Sequence, residues 1–305
     1  MRTRILGTGG PEVSVVGLGG NNFGARCDRE QTRAVVEAAL DAGITLIDTA
    51  DVYSQGTSEE YLGEILEGRR ERVVLATKFG HEMPGGPDAP RGSREWIRWA
   101  CEQSLRRLRT DVVDVYQYHR PDGVTPLEQT LEALNELVEE GSVRWIGSSN
   151  FPPGQVEAAE RIARDRGWAR FVSAQNRYSF VRREAEDGLL PTCARLGIGV
   201  LPYFPLEGGL LTGKYARGAP AAEGRLAQRP DWLTDEAFDR VDALRRYAEE
   251  RGVTLLDVAV GGLLAMPAIV SVIAGATTPE QVRANAAAGD WEPRPEDVAA
   301  LEALR

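Results

Sequence analysis

The sequence predicts an α/β fold, a (β/α)₈ TIM barrel with an N-terminal β-hairpin at the barrel floor. Three observations point there. One unit recurs along the 305 residues: an amphipathic helical stretch, a turn containing Gly or Asp, then a short apolar run. The runs are apolar throughout rather than alternating, as in parallel strands covered on both faces. Eight of them suit the length of a barrel better than that of an open sheet, and no Pro- or Ser-rich linker divides the chain, so residues 1–305 read as one barrel domain.

The elements follow in order. Arg4-Ile5-Leu6 and Val13-Ser14-Val15 flank Gly7 to Pro11, which reads as the hairpin. Val15–Gly20 supplies the first barrel strand. A helix runs from Asp28 to Leu40. Asp28 caps it, with Gln31 three residues on as in a capping box. Val35, Val36, Ala39 and Leu40 form its apolar stripe, and Gly43 stops it. Ile44–Ile47 is the second strand. Val73–Ala76, Val112–Tyr118, Val143–Gly147, Phe171–Ala174, Ile198–Leu201 and Ile269–Ile273 are the other six. Leu206–Leu233 is long and rich in Gly, Pro and Ala, a length usual for lids or mobile loops. Pro295–Leu304 reads as the last helix. With no long segment after it, the barrel mouth is expected to be open.

Composition excludes several classes. With 42% hydrophobic and 27% charged residues, the chain has enough apolar matter for a large core and is not disordered. No apolar run reaches the roughly 18–20 residues of a membrane helix. Met1 to Gly10 has no apolar signal core. The net charge of −10, without a Lys/Arg block, argues against nucleic acid or an anionic membrane as partner. Cys27, Cys101 and Cys193 are scattered and there are two histidines, so neither a disulfide framework nor a metal site is expected, and a reducing cytoplasm is.

In a barrel, chemistry gathers at the C-terminal ends of the strands. The polar residues there are Asp48 and, five residues on, Tyr53; then Lys78, His119, Ser148-Ser149-Asn150, Gln175-Asn176 and Tyr203. Each has its own use. A tyrosine titrates near 10 in water, and an adjacent ammonium favours its ionised form. Lys78 is expected to lower Tyr53 in this way while Asp48 holds Lys78 charged. Tyr53 then gives a proton to a developing alkoxide, and His119 orients the carbonyl oxygen or helps move the proton. This set reduces C=O but lacks a hydride source. Ser149, Asn150 and Gln175 suit the carboxamide of a nicotinamide, and Tyr203 offers its ring a face.

The chain resembles an aldo-keto reductase along nearly its whole length. The resemblance rests on an ordered series of motifs: Val16-Gly17-Leu18-Gly19-Gly20, Asp48-Thr49-Ala50-Asp51-Val52-Tyr53 with Ser58-Glu59, Ala76-Thr77-Lys78 and Ser104-Leu105-Arg106-Arg107-Leu108. It continues through Trp145 to Phe151, Leu210 to Tyr215 and Gly275 to Gln281 with Asn285. It implies the barrel, a small-molecule carbonyl substrate, and NADP(H) bound without a Rossmann fingerprint. It also implies a catalytic tetrad of Asp48, Tyr53, Lys78 and His119, with Tyr53 as proton donor. By resemblance, Gly20 and Asn21 touch the cofactor. Ser149, Asn150 and Gln175 hold the carboxamide, and Tyr203 stacks on the ring. Pro205, Leu206, Gly208 and Lys214 follow the pyrophosphate, and Gly275, Thr277, Gln281 and Asn285 take the adenosine end, where a helix N-terminus suits phosphate.

Some positions depart from the pattern. Phe204 stands where a small Ser is common, so it reshapes the pocket or the cofactor channel. Thr277 and Thr278 stand where many relatives place Lys or Arg for the 2′-phosphate; Arg225, on the long loop, is the substitute candidate. NADP(H) is therefore expected, with NAD(H) left open. The chain also resembles potassium-channel β subunits, which share the fold and use cofactor binding in regulation; they carry Asn where His119 stands here. Gly208 to Lys214 formally fits G-x-x-x-x-G-K, but Tyr215 replaces the Ser/Thr a P-loop needs. His81 reads as an exposed loop histidine. Phe23, Phe151, Phe204 and Trp232 are candidates for an apolar substrate wall. The substrate itself, the reaction direction and the oligomeric state are not legible.

Overall fold

The computed structural model describes residues 1–219 and 224–304, so part of the long loop, 220–223, lies outside the described residues. A short antiparallel hairpin, β1 (Thr3–Ile5) and β2 (Glu12–Ser14), opens the chain. Then β3 (Val16–Gly19), α1 (Arg29–Asp41), β4 (Leu46–Asp48), α2 (Thr57–Ile65), β5 (Val74–Phe79), α3 (Arg94–Leu108) and β6 (Val113–Tyr118) alternate. They are followed by α4 (Leu127–Glu139), β7 (Val143–Ser149), α5 (Pro153–Arg166), β8 (Phe171–Gln175), α6 (Leu189–Leu196) and β9 (Gly199–Val200). After the long loop come α7 (Asp235–Arg251), α8 (Leu255–Asp257) continued by a π-helical turn, β10 (Val272–Gly275), α9 (Pro279–Ala288) and α10 (Pro295–Ala303).

Eight of the described strands form one parallel sheet in the order β10-β3-β4-β5-β6-β7-β8-β9. The edge strands meet through the bridges Val200↔Ile269 and Tyr203↔Ile273, which closes the sheet into the expected barrel. Closure with parallel neighbours leaves no strand edge for solvent or another chain to pair with.

Two apolar cores follow from two-sided strands. Leu46, Ala76, Val115, Val172, Leu201 and Ile273 fill the barrel interior, and Leu6 and Val13 of the hairpin plug it from below. The larger core lies between strands and helices, with Val35, Val36 and Ala39 of α1 in it. The hairpin is held close to the floor: Gly7 has φ +68°, and a Cβ there would lie 2.2 Å from the Val172 carbonyl oxygen, so only glycine fits. α1 starts as its sequence suggests, with Asp28 and Gln31 forming a reciprocal capping box.

Three strand ends move towards the barrel mouth. β5, β7 and β8 run past their apolar runs to include Lys78, Ser149 and Gln175. Backbone pairing continues wherever a neighbouring strand is present, whatever the side chain, so polar residues at the mouth extend the strands. β9 and β10 are shorter or later than Ile198–Leu201 and Ile269–Ile273.

Candidate active site

The strand register brings polar ends to one level. Gly19 pairs with Asp48 and Gly275, Lys78 with Gln117, and Ser149 with Gln175. Above them lies a cleft of about 780 Å³. It runs from Tyr53, His119 and Gln175 past Tyr203 and Lys214 to the start of α9 at Thr277, Gln281 and Asn285.

Asp48, Tyr53, Lys78 and His119 meet at one end. Lys78 is fully buried, and its ammonium donates to Asp48 Oδ2 at 2.7 Å and to the Thr49 carbonyl at 2.7 Å. It lies 5.1 Å from the Tyr53 ring centroid, close enough to act electrostatically on the phenol. Burial alone would pull the lysine down, but Asp48 and Tyr53 outweigh it, and its pKa ends above its ordinary value. Asp48 is satisfied on its other oxygen, where Gln117 Nε2 donates at 3.1 Å and Gln175 Nε2 at 2.8 Å. Lys78 does not line the cleft; it works from beneath.

Tyr53 corrects an expectation. Its pKa is raised, not lowered: burial outweighs the opposing pull of Lys78, and Asp48 adds to the rise. In this geometry the phenol keeps its proton rather than standing as a preformed phenolate. Its turn is strained, since Ser54 and Gln55 have φ of 50° and 54°. Ser54 Oγ ties that turn to the Phe23 carbonyl at 2.9 Å.

His119 stands 5.9 Å from Tyr53, ring centroid to centroid, at 83°. Burial, with Lys78 nearby, drives its pKa down to about 2, so the imidazole is neutral across the working range. Its Nδ1 is buried with no hydrogen-bond partner among the described residues. A neutral ring with unused hydrogen-bonding capacity, on the cleft wall beside a phenol, can bind a carbonyl oxygen without competing for the proton. His81 differs from its reading as an exposed loop residue. It is half-buried, lines the cleft and packs T-shaped on His119, ring centroids 4.6 Å apart.

The remaining predicted residues all line the cleft: Gly20 and Asn21, Ser149, Asn150 and Gln175, Tyr203 to Leu206, Gly208, Lys214, Arg225, Gly275, Thr277, Gln281 and Asn285. Several are already engaged. Asn150 accepts from the Tyr203 hydroxyl at 2.7 Å and donates to the His119 carbonyl at 2.9 Å and to Ser149 Oγ at 3.1 Å. Gln281 Oε1 accepts from the Thr277 amide at 2.8 Å. Gly275 leaves space beside the asparagines: a Cβ there would stand 3.4 Å from Asn22 Nδ2 and 3.5 Å from Asn21 Oδ1.

Arg225 reaches across from the long loop and donates to Asn21 and Asn22 Oδ1 at 3.1 and 3.0 Å. Phe204 supports it, with the guanidinium 5.2 Å above the ring, and Trp232 packs edge-on against Phe204 at 5.3 Å. Parts of the long loop are packed down: Glu207, Leu226 and Trp232 are buried, and Glu207 pairs with Arg177, while residues 216–219 and 227–231 are exposed. Gly208 and Gly209, both at positive φ, sit in a 3₁₀ turn, and no helix follows Lys214, so this is not a P-loop.

The four-residue apolar wall is not formed. Phe23 and Phe151 are buried, Phe151 against Tyr118 and Phe171, and only Phe204 of the four lines the cleft. Sequence reading missed Asn22, Arg26 and Arg120, which do line it. Each lies one to six residues beyond a strand-end residue that was found, so extending each strand end into its loop would have caught them.

Residues 15–305 match the model of the aldo/keto reductase family. A probable voltage-gated potassium channel subunit beta from Oryza sativa subsp. japonica is 34% identical, covering 100% of this chain and 96% of that one. The L-glyceraldehyde 3-phosphate reductase of Escherichia coli is 32% identical over 93% of this chain and 86% of its own. Among solved structures, an aldo-keto reductase from Bacillus halodurans in its holo form superposes with a TM-score of 0.84 at 30% identity, covering 100% of this chain and 96% of that one.

Proposed function

The chain belongs to the aldo/keto reductase family, and from that premise we propose that it reduces an aldehyde or ketone to the alcohol with NADP(H). One observation carries the reading: a buried lysine, clamped by Asp48, beside the ring of a tyrosine that faces a neutral histidine on the cleft wall.

The cleft fits a dinucleotide. Its length ends at the N-terminus of α9, Gly275 leaves its floor clear, and its lining cations Arg26, Lys214 and Arg225 suit phosphates. Bound NADP(H) supplies the hydride. In this reading Ser149, Asn150 and Gln175 orient the carboxamide and Tyr203 gives the ring a flat support. Arg225, strapped over Asn21 and Asn22, and Arg26 beside it favour the 2′-phosphate form over NAD(H).

The chain's own residues handle the proton. The substrate oxygen sits between Tyr53 and His119. His119 donates a hydrogen bond to it as a neutral ring and keeps it in line. Tyr53 delivers its proton to that oxygen as negative charge develops there. The phenolate left behind is stabilised by the Lys78 ammonium, whose charge Asp48 maintains with the amides of Gln117 and Gln175.

Tyr53→Phe removes only the transferable proton. We expect nicotinamide-cofactor affinity to stay within about twofold and kcat for carbonyl reduction to fall at least about a hundredfold. Binding titration and steady-state NADPH consumption over a panel of aldehydes, ketones and sugars check this. Unchanged turnover would refute the assigned donor.

A second reading is a cofactor-binding regulator, motivated by the 34% identity to a probable channel β subunit. His119, where the resemblance to such subunits implies Asn, favours turnover. Repeated cycles of reduction separate the two readings, since a regulator oxidises its bound cofactor once.

A further inference from the structure

We propose that Arg120 selects carbonyl substrates bearing an anionic group, a phosphate or a carboxylate, away from the reacting carbon. This rests on the carbonyl-reduction reading and deepens it to a substrate class.

The cleft is charged unlike the rest of the chain. The protein carries a net −10, yet the charged side chains lining the cleft are Arg26, Lys214, Arg225, Arg120 and Asp48, and Asp48 is taken up by Lys78. A local positive lining in an acidic protein concentrates small anions at the site while the surface repels them elsewhere.

The cations are also segregated. Arg26 and Arg225 gather around Asn21 and Asn22, and Lys214 stands near Gly209, all on the stretch a dinucleotide would occupy. Arg120 stands apart at the other end, next in the chain to His119. Its backbone passes under Gly80, where a Cβ would lie 3.3 Å from the Arg120 carbonyl oxygen, so the loop after β5 and the start of the loop after β6 form one lip.

Arg120 has no hydrogen bond or ion pair among the described residues. The nearest carboxylate in sequence, Asp122, is committed elsewhere. It accepts from the amides of Gly92, Val124 and Thr125 at 2.8, 3.0 and 2.9 Å and from the Thr125 hydroxyl at 2.7 Å. Glu82 and Asp88 line a neighbouring hollow, not this cleft. His81, packed against His119, has its pKa lowered by burial and by Arg120 and Arg91, so it adds a neutral polar ring rather than a second charge. A substrate oxygen held at Tyr53 and His119 therefore has one unpaired guanidinium beyond it, with five donors suited to an oxyanion.

The test compares matched aldehydes: glyceraldehyde 3-phosphate against glyceraldehyde, and succinic semialdehyde against butanal. In the wild type, kcat/KM should favour the anionic member of at least one pair by about tenfold or more, and the pair favoured tells phosphate from carboxylate. Arg120→Ala should cut that preference about ten- to hundredfold, chiefly through KM, and Arg120→Lys should recover part of it. A wild type without preference, or Arg120→Ala lowering both members equally, overturns the proposal. If no aldehyde is turned over, the reductase reading fails first. Calorimetry of glycerol 3-phosphate and of 4-hydroxybutyrate with cofactor-saturated protein then decides for Arg120. Binding of either, lost in Arg120→Ala, supports it, and no binding of both overturns it.

Discussion

Asp48 and Asp51 stand three residues apart, both buried, and the fold treats them oppositely. Asp48 accepts from one ammonium and two amides. Asp51 is 1% exposed, and neither of its oxygens makes a well-formed hydrogen bond among the described residues. Burial and the neighbouring Glu59 push its carboxyl well above the ordinary range; the Val52 amide, Arg107 and Lys78 offset only part of that. Arg107 is directed to Glu59 instead, at 2.8 Å, and Glu59 also accepts from Thr77. One carboxyl is paired with a cation, and the other is left without a partner among the described residues. The difference teaches that the motif carrying Tyr53 is anchored on both sides, by a cation and two amides at Asp48 and by burial of an unpaired carboxyl at Asp51.

The comparison can be broken most forcefully from the Asp48 side. Lys78→Met strips a buried ion pair of its cation and leaves Asp48 with two amides alone. Removing one partner of such a pair costs about 3–5 kcal/mol, so urea unfolding should show a loss of that order. A loss under about 1 kcal/mol would mean that Asp48 is protonated or reached by water, and the contrast with Asp51 would collapse.

From the Asp51 side the effect is a slope. A carboxyl whose pKa is raised by folding gives its full stability below the unfolded value, about 3.9, and loses it as pH rises towards the folded value. Across that window the wild type should lose up to about 1.4 kcal/mol per pH unit relative to Asp51→Asn. The Asn variant should match the wild type best at acid pH and gain on it as pH rises above about 4. Denaturant curves at several pH values check this, and parallel stability profiles for the two proteins would show that Asp51 is charged and paired.

The smallest effect sharpens the picture of the site. His119 is held at about 2 by burial and Lys78, and Tyr53 lies above its ordinary value of about 10. Hence kcat/KM should stay flat, within about twofold, from pH 5 to 8. An ionisation near 6.5 in that profile would mean that the imidazole is solvated and titrates as an acid.

Much of this was legible in the linear order of residues. Apolar runs at regular spacing specify strands buried on both faces, and one polar residue after each run marks the mouth, because a barrel sends every strand end the same way. Asp28 with Gln31 marked the start of α1 for a purely local reason. Local rules do not say which buried acid receives a cation. Asp48 and Asp51 share a motif, and only the assembly of β4 with β5, β6 and β8 brings the Lys78 ammonium and the Gln117 and Gln175 amides onto the first carboxyl, whereas Asp51 bonds Lys78 through backbone alone, its amide donating to the Lys78 carbonyl at 3.1 Å.

The sequence by itself determined the barrel, its floor hairpin and the residue types gathered at its mouth, since periodicity and strand polarity are properties of the chain. Tertiary structure alone decided the charge states and the reach of side chains: a raised Tyr53, a neutral His119, Arg225 bent over Asn21 and Asn22, and His81 drawn in from its loop. Those depend on desolvation and on neighbours far apart in the chain, which close packing creates and no local pattern encodes.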